Sequence, residues 1–197
     1  MYLIDSTGMN VTTRNTELEE QELAERAGAG DEPAFRTLFD RYGSKVFRFS
    51  LLMVGEKAAA EDIYQDTFVG FLKACRQGKK MYSVRGYLFT IARTRCLNYL
   101  ETQRRHIELA PEPETHYEFD LAVTDIQDHV RKALMKLPEH YREVLVLCEY
   151  DGYSYEEIAE TLNISRHIVK NRIYRGKQML REILQPILND DDSESIL

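Results

Sequence analysis

Apolar residues recur at helical spacing along most of the chain, and the clearest pattern lies near the carboxyl end. Between Tyr153 and Leu184 the pattern predicts a helix, a tight turn and a second helix. The first helix is expected to begin at Ser154, whose side chain can form a capping box with Glu157. The turn is predicted at Asn163, because asparagine tolerates left-handed backbone geometry. Two helices joined in this way form a helix-turn-helix.

The second of these helices combines a narrow apolar stripe with basic residues on its other faces. The stripe consists of Val169, Ile173, Gly176 and Leu180. No acidic residue lies between Ser165, which is expected to cap this helix, and Arg181. Such a helix can place its N-terminal half in the major groove of DNA, where cations bind phosphates and asparagine can pair with adenine. The alternative interpretation is an ordinary helical hairpin with a solvated basic face.

The part of the chain before residue 107 is predicted to form a helical bundle. Its pattern indicates a short acidic helix that ends at Ala27 and a second helix that Asp31 caps. Gly43 is expected to interrupt the second helix. Two longer helices are predicted, from Lys57 to Arg76 and from Val84 to about His106.

The segment that follows the bundle differs in composition and periodicity. Residues 107–124 are acidic, contain two prolines and lack helical periodicity, so a flexible linker is predicted. We expect this linker to leave the spacing of the two helical units unfixed. Residues 187–197 are predicted to form a disordered acidic tail. The predicted fold class is all-α: an N-terminal helical bundle and a C-terminal helix-turn-helix joined by a flexible acidic linker.

Charge is sorted along the chain, although the formal net charge is −7. Residues 33–106 carry 14 basic and 6 acidic side chains, whereas residues 107–128 carry 7 acidic side chains and no lysine or arginine. Residues 129–188 carry 10 basic and 8 acidic side chains. Two positive blocks separated by an acidic connector suit a DNA-binding protein of two modules.

Several classes of protein do not fit the sequence. The three cysteines, Cys75, Cys96 and Cys148, are widely spaced and are predicted to be reduced core residues, without a disulfide framework or a zinc site. The absence of a signal-peptide pattern and of a membrane-spanning apolar run predicts a cytoplasmic protein without membrane insertion. We find no phosphate-binding glycine loop and no nucleophile–base pattern. No catalytic residue, metal, cofactor or small-molecule substrate is therefore predicted, and no enzymatic activity.

Two polar clusters in the N-terminal bundle are candidate binding surfaces. The first is a compact acidic face on the Lys57–Arg76 helix that consists of Glu61, Asp62, Gln65 and Asp66. It suits docking of a basic partner, although a solvated face or a metal site is also possible on this spacing. The second cluster mixes basic and aromatic residues from Lys79 onward, which suits unpaired nucleic acid. In the alternative interpretation these tyrosines belong to the core and the arginines lie on the surface.

Taken in order, these motifs resemble bacterial sigma factors of the small, two-domain extracytoplasmic-function group. The resemblance covers roughly residues 31–106 and 125–184. AEDIYQDTFVGFL (Ala60–Leu72) is similar to the polymerase-docking helix of that family, and RGYLFTIARTRCLNYLETQRR (Arg85–Arg105) is similar to its promoter-melting helix. The segment Leu137–Arg181 is similar to the C-terminal domain of the family.

The sequence departs from the family pattern at a few positions. Tyr87 stands where the family commonly has tryptophan, and Thr94-Arg95 where an asparagine often follows Ile-Ala-Arg. His167-Ile168 replaces a small residue followed by threonine at the start of the recognition helix.

The resemblance implies a sigma factor that binds core RNA polymerase and directs promoter-specific initiation. Residues 1–30 would be an acidic arm, residues 31–106 would bind polymerase and the −10 element, and residues 125–186 would bind the −35 element. Polymerase would contact Glu61, Asp62, Gln65 and Asp66. The melted −10 strand would contact Lys79, Lys80, Tyr82, Arg93, Asn98 and Tyr99. The −35 duplex would contact Arg166, His167, Lys170, Asn171, Arg172, Tyr174 and Arg175.

Two further implications concern partners and alternatives. The resemblance implies an anti-sigma factor as a third partner beside polymerase and promoter DNA. A stand-alone helix-turn-helix regulator remains the alternative, in which residues 31–106 would sense a ligand or dimerise. If the resemblance holds, we expect the protein without polymerase to bind promoter DNA poorly, because its acidic segments oppose phosphate binding.

Overall fold

A computed structural model describes residues 11–81, 83–109 and 125–194, and every regular element within these ranges is helical. The helices are α1 (Val11–Gly28), α2 (Glu32–Val54), α3 (Lys57–Arg76), α4 (Val84–Leu109), α5 (Asp125–Met135), α6 (Glu139–Leu145), α7 (Tyr155–Leu162) and α8 (Arg166–Glu194). A π-helical segment, Val146–Tyr150, follows α6 directly. None of the helices in these ranges has an apolar stretch long enough to span a bilayer.

Helices α1 to α4 pack together as the N-terminal domain. Helix α2 begins as predicted, because the Asp31 carboxylate accepts a hydrogen bond from the Ala34 backbone N–H at 3.1 Å. It ends at Gly55, whose φ of 83° is readily adopted only by glycine. The centre of the bundle is fully buried and includes Leu38, Val46, Phe49, Phe71 and Phe89.

Gly43 serves close packing in α2, and the predicted interruption there is wrong. The helix runs unbroken from Glu32 to Val54, and Gly43 is buried against α3. A Cβ atom at this position would lie 3.3 Å from the Tyr64 hydroxyl, so a larger residue would crowd the ring. Glycine costs a helix about 1 kcal/mol in propensity. Here the packing of the two helices outweighs that cost.

Helix α1 lies within the predicted acidic arm, and the structure packs it against α2, α3 and α4. Glu20 is only 3% exposed and accepts a hydrogen bond from the Tyr42 hydroxyl. The Arg41 guanidinium also binds this carboxylate, at 2.9 Å. Burial, reinforced by Glu20, raises the pKa of Tyr42 and keeps its hydroxyl protonated as a donor. The paired glutamate allows an acidic helix to join the bundle.

Helices α5 to α8 form the C-terminal domain, and its helix-turn-helix follows the sequence prediction. Ser154 and Glu157 form the predicted capping box at the start of α7. Asn163 ends α7 in the left-handed region, with φ 52°. The Ser165 hydroxyl then accepts a hydrogen bond from the Ile168 backbone N–H at 3.3 Å, which caps α8.

The acidic tail does not begin as irregular chain after Pro186, as predicted, because α8 continues to Glu194. Proline removes one hydrogen-bond donor from a helix interior, but its fixed φ is compatible with helical geometry. Ile183 and Leu184 are half-buried and hold the preceding turn. The prediction assumed that the helix ends at Pro186, whereas α8, anchored by Ile183 and Leu184, continues beyond this proline.

The two domains are packed against each other in this structure. Helix α4 contacts α7, and α2 contacts α5 and α6. At the interface the rings of Phe89 and Tyr153 meet edge to face, with their centroids 5.2 Å apart. The linker by itself was expected to leave the spacing of the domains unfixed, and in this arrangement the contacts between the two domains set that spacing. Most of the predicted linker, residues 110–124, lies outside the described residues.

Candidate nucleic-acid and polymerase interfaces

The N-terminal half of α8 presents a polar face that points away from the domain. Val169 and Ile173 are 0% and 3% exposed, and they anchor the helix to the core. The opposite face exposes Arg166, His167, Lys170, Asn171, Tyr174 and Arg175. Most of the predicted −35 residues thus lie on one accessible surface.

Neighbouring side chains constrain part of this surface. The Arg166 guanidinium forms an ion pair with Glu156 of α7 at 2.8 Å. The Asn171 amide nitrogen lies 3.0 Å from the His167 ring nitrogen, one helical turn away. Within the described residues, Lys170 and Arg175 have no ion-pair partner. These two cations are therefore available to an anionic ligand without breaking an existing pair.

Sequence reasoning did not single out Ile168, which is 40% exposed beside these polar residues. An exposed apolar side chain at the start of such a helix can contact the methyl group of thymine. The departure of His167-Ile168 from the family pattern was the signal that could have identified it.

Arg172 is the exception among the predicted −35 residues. Its guanidinium is half-buried and forms an ion pair with Glu143 of α6 at 3.2 Å. The structure therefore directs this cation towards the body of the protein and away from the exposed face of α8.

The predicted −10 residues do not form one cluster. Lys79 and Lys80 are exposed in the loop between α3 and α4, with the Lys79 ammonium 4.7 Å above the Tyr87 ring. Asn98 is exposed further along α4, where the Tyr99 hydroxyl donates a hydrogen bond to Glu56. The remaining predicted residues are Tyr82, which lies outside the described residues, and Arg93.

Arg93 is directed at the C-terminal domain. Its Nε donates to the Glu143 carboxylate at 2.7 Å, and its Nη2 lies 3.4 Å from the other carboxylate oxygen. Arg93 and Arg172, predicted to contact different promoter elements, thus share a single carboxylate.

An open groove of about 810 Å³ borders the two lysines of the α3–α4 loop. Met81 of the same loop also lines the groove, and its other walls include Gln21 of α1 and Val84 at the start of α4. The Gln21 side chain donates to the Met81 carbonyl at 3.0 Å and ties the loop to α1. The loop is therefore held beside a cavity large enough for a small planar group.

The acidic face of α3 is exposed as predicted. Glu61, Asp62, Gln65 and Asp66 are all accessible, while Ile63 and Thr67 on the opposite side are buried. Asp66 forms an ion pair with Arg95 of α4. Val69 is 66% exposed at the end of this face and was missed by sequence reasoning. No group of three or more potential metal ligands occurs among the described side chains.

Charged residues that sequence reasoning missed lie between the domains. Glu143 is 1% exposed, and Arg142 beside it donates to the Met53 carbonyl of α2. Asp151, whose side chain is fully buried, pairs with Arg48 of α2 at 2.6 Å. Burial raises the pKa of Asp151, although the Arg48 guanidinium opposes that shift. In the sequence, the adjacent charges Arg142 and Glu143 directly precede the apolar run that begins at Val144, and this was the signal that could have identified them.

The fold and the exposed basic helix define a DNA-binding transcription protein built of two helical domains. Residues 38–106 match the family described as Sigma-70 region 2, and residues 127–180 match Sigma-70, region 4. The chain is 32% identical to RNA polymerase sigma factor CarQ of Myxococcus xanthus over 164 residues, which is 81% of this chain and 94% of CarQ. It is 27% identical to the RNA polymerase sigma-H factor of Pseudomonas aeruginosa over 190 residues, or 89% of this chain and 98% of that protein.

Solved structures agree with the sequence relatives. The structure of CnrH in complex with the cytosolic domain of CnrY matches with a TM-score of 0.67 and 26% identity, over 85% of this chain and 98% of CnrH. The chain belongs to the extracytoplasmic-function group of RNA polymerase sigma factors. It binds core RNA polymerase and directs promoter-specific transcription initiation, and the stand-alone regulator is not favoured.

Proposed function

We propose that the exposed face of α8 recognises the −35 element as duplex DNA. The observation that carries this proposal is the orientation of the helix, whose apolar stripe is buried while its N-terminal polar face is accessible. A helix placed in this way can enter the major groove with its first turns. Lys170 and Arg175 can donate to guanine edges or phosphates, and Asn171 can pair with adenine. Arg172 would join them only after release from Glu143.

We also propose that the α3–α4 loop and α4 hold the melted −10 strand. The support is the groove beside Lys79 and Lys80, together with the exposed amide of Asn98. Cations can follow the phosphates of an unpaired strand while aromatic rings stack on its bases. We assign base stacking to Tyr82 and Tyr99, and phosphate binding to Arg93.

The acidic face of α3 is assigned to core polymerase. Its support is the cluster Glu61, Asp62, Gln65 and Asp66, which is exposed and has the apolar Val69 at its edge. An exposed apolar residue beside charged ones is typical of the place where the apolar core of a protein–protein interface meets its polar rim. In this proposal residues 31–106 bind polymerase and the −10 element, and residues 125–186 bind the −35 element.

Three further parts of the proposal rest on the family. Sigma factors are non-catalytic initiation factors, so we assign no enzymatic activity to this chain. We place it in the cytoplasm, where its polymerase partner acts. CnrH is described in complex with the cytosolic domain of CnrY, and we assign a comparable anti-sigma partner to this protein.

The test of the proposal begins with a promoter selected from random duplexes by the protein together with core polymerase. The single variants Lys170→Ala and Arg175→Ala are then compared in binding and transcription on that promoter. Loss of a base-edge contact should cost about 1–3 kcal/mol and relax specificity at one position, whereas loss of a phosphate contact weakens all sequences alike.

The matched control is Arg181→Ala, because Arg181 is also basic and exposed on α8 but lies beyond its N-terminal half. This control should transcribe normally. If Lys170→Ala and Arg175→Ala also transcribe normally, α8 is not the helix that recognises the promoter.

A further inference from the structure

Glu143 occupies an unusual position, because one buried carboxylate binds two arginines that belong to two different domains. Arg93 of α4 approaches one oxygen at 2.7 Å, and Arg172 of α8 approaches the other at 3.2 Å. The Glu143 side chain is 1% exposed, whereas the two arginine side chains are 30% and 26% exposed. The buried carboxylate is therefore flanked by two guanidinium groups whose side chains are partly exposed to solvent.

Among the described cations of the proposed DNA surfaces, Arg93 and Arg172 are half-buried, whereas the others are exposed. A guanidinium bound to a carboxylate has its positive charge neutralised locally, and the N–H groups it donates are no longer free. A DNA phosphate is recognised by the same kind of charge-assisted hydrogen bond, so it competes with Glu143 for the positive charge and the orientation of each guanidinium. While Glu143 holds an arginine, the guanidinium is turned towards this carboxylate and its charge is neutralised there, which weakens its contact with a phosphate.

Other contacts across the interface hold the domains in the position that brings Arg93 to Glu143. Arg48 of α2 pairs with the buried Asp151 at 2.6 Å. Phe89 packs against Tyr153, and the Arg85 guanidinium lies 3.7 Å above the same tyrosine ring. The Arg93–Glu143 pair thus belongs to a continuous contact surface between the domains.

We propose that Glu143 is a positioning residue that takes the place of DNA phosphate in the free protein. While the domains are packed together, Glu143 holds Arg93 and Arg172 away from the promoter, so that domain closure and full DNA binding exclude each other. Separation of the domains frees Arg93, and Arg172, which shares its domain with Glu143, is then held by that carboxylate alone and is released when DNA phosphate displaces it. This inference rests on the proposed DNA surfaces. It adds that a carboxylate of the same chain competes with DNA phosphate for two of their arginines.

The first test compares the full-length protein with Glu143→Gln in binding a short labelled DNA duplex of random sequence. Binding is measured between about 50 and 200 mM salt, and the slope of log K against log salt counts the phosphates neutralised. We expect the slope to steepen by about 0.9 for each arginine released, with an affinity gain of about three- to tenfold at the lowest salt. Small-angle X-ray scattering of the same samples should show a larger radius of gyration.

The matched control is Glu149→Gln, which removes the same charge from the neighbouring π-helical segment. Glu149 is exposed and pairs with Lys177 of α8 at 2.7 Å, within one domain. Because this variant leaves the interface intact, it separates the release of arginines from the general effect of net charge. Equal slopes and affinities in the two variants would overturn the proposal.

A second variant keeps the test decisive if Glu143→Gln does not fold. Asp151→Asn removes the partner of Arg48 and weakens the interface without touching Glu143. It should expand the protein and raise its affinity for the duplex. Expansion without any gain in binding would show that closure does not restrain the arginines, and would also overturn the proposal.

Failure of this inference can be told apart from failure of the proposed function. In the Glu143→Gln background, adding Arg172→Ala should remove the share of the gain in slope that belongs to Arg172, about 0.9, and persistence of the whole gain would count against Glu143 as the competitor. Lys170→Ala tests the DNA surface alone, because Lys170 does not contact Glu143. If Lys170→Ala weakens binding while Glu143→Gln brings no gain, only the inference about Glu143 is lost. If Lys170→Ala has no effect, the proposed surface itself is wrong.

Discussion

At the scale of single residues, Gly176 shows how the absence of a side chain positions the recognition helix. It is buried where α8 crosses α6. A Cβ atom there would lie 3.0 Å from the Cδ1 atom of Leu145 and 3.4 Å from the Cβ atom of Tyr141. Leu145 is 2% exposed, so it is itself part of the core. The small residue in the predicted stripe therefore allows α8 to approach α6 closely.

We expect Gly176→Val to destabilise the C-terminal domain by about 1–3 kcal/mol, because the added methyl groups would overpack Leu145. Urea unfolding measures the change. Gln178→Val on the exposed side of α8 is the control, since it carries the helix-propensity cost of valine, about 0.5 kcal/mol, and loses only a solvent-exposed hydrogen bond to Tyr174 at 3.3 Å. Equal stability of the two variants would mean that the contact at Gly176 is not tight.

At the scale of elements, α3 has one face in the core and one exposed to a partner. Ile63 and Phe71 are buried among the bundle helices. The predicted acidic residues line the opposite face, and only Asp66 among them has an ion-pair partner within the described part of the chain. This division makes α3 a helix whose exposed side can change without loss of the fold.

We expect Asp62→Lys combined with Asp66→Lys to reduce binding to core polymerase at least about tenfold, because the reversal sets like charges against a basic partner. Co-purification and a titration with core enzyme measure the loss. Glu22→Lys combined with Glu25→Lys reverses the same charge on the exposed side of α1 and serves as the control. If both double variants still bind core enzyme normally, the acidic face of α3 is only solvated.

At the scale of the whole molecule, the two domains share contacts that couple their unfolding. Arg85 contributes several of them from α4. Its guanidinium stacks on Tyr153, pairs with Glu157 at 3.3 Å and donates to the Asp151 carbonyl. Since buried residues of both domains form one continuous hydrophobic cluster, the intact protein should unfold as a single unit.

We expect calorimetry to show one unfolding transition for the intact protein and two for Arg85→Ala, because the variant loses its contacts to the C-terminal domain while each domain keeps its own core. Agreement between the calorimetric and van't Hoff enthalpies is the measure of coupling. Arg95→Ala is the control on the same helix, since Arg95 pairs with Asp66 inside the N-terminal domain. A single transition in both variants would contradict the proposed role of Arg85.

The sequence by itself determined the features that depend on near neighbours. The cap at Asp31, the capping box at Ser154 and the left-handed turn at Asn163 were predicted and confirmed. The bounds of α3 and the buried stripe of α8 were also confirmed, with Leu180 at its end only half-buried. Caps, turns and amphipathic spacing arise from interactions within a few residues of one another, so they can be derived before the chain is folded.

Only the tertiary structure decided which charges meet and which glycines or acids are buried. Glu143 binds Arg93 at a separation of 50 residues and Arg172 at a separation of 29. Glu20 is buried in the core because Tyr42 and Arg41 of α2 bind its carboxylate. An acidic side chain has the same local pattern whether it is solvated or paired, because its partner comes from a distant part of the chain. The packing of the domains brings these partners together, and no local pattern of the sequence specifies it.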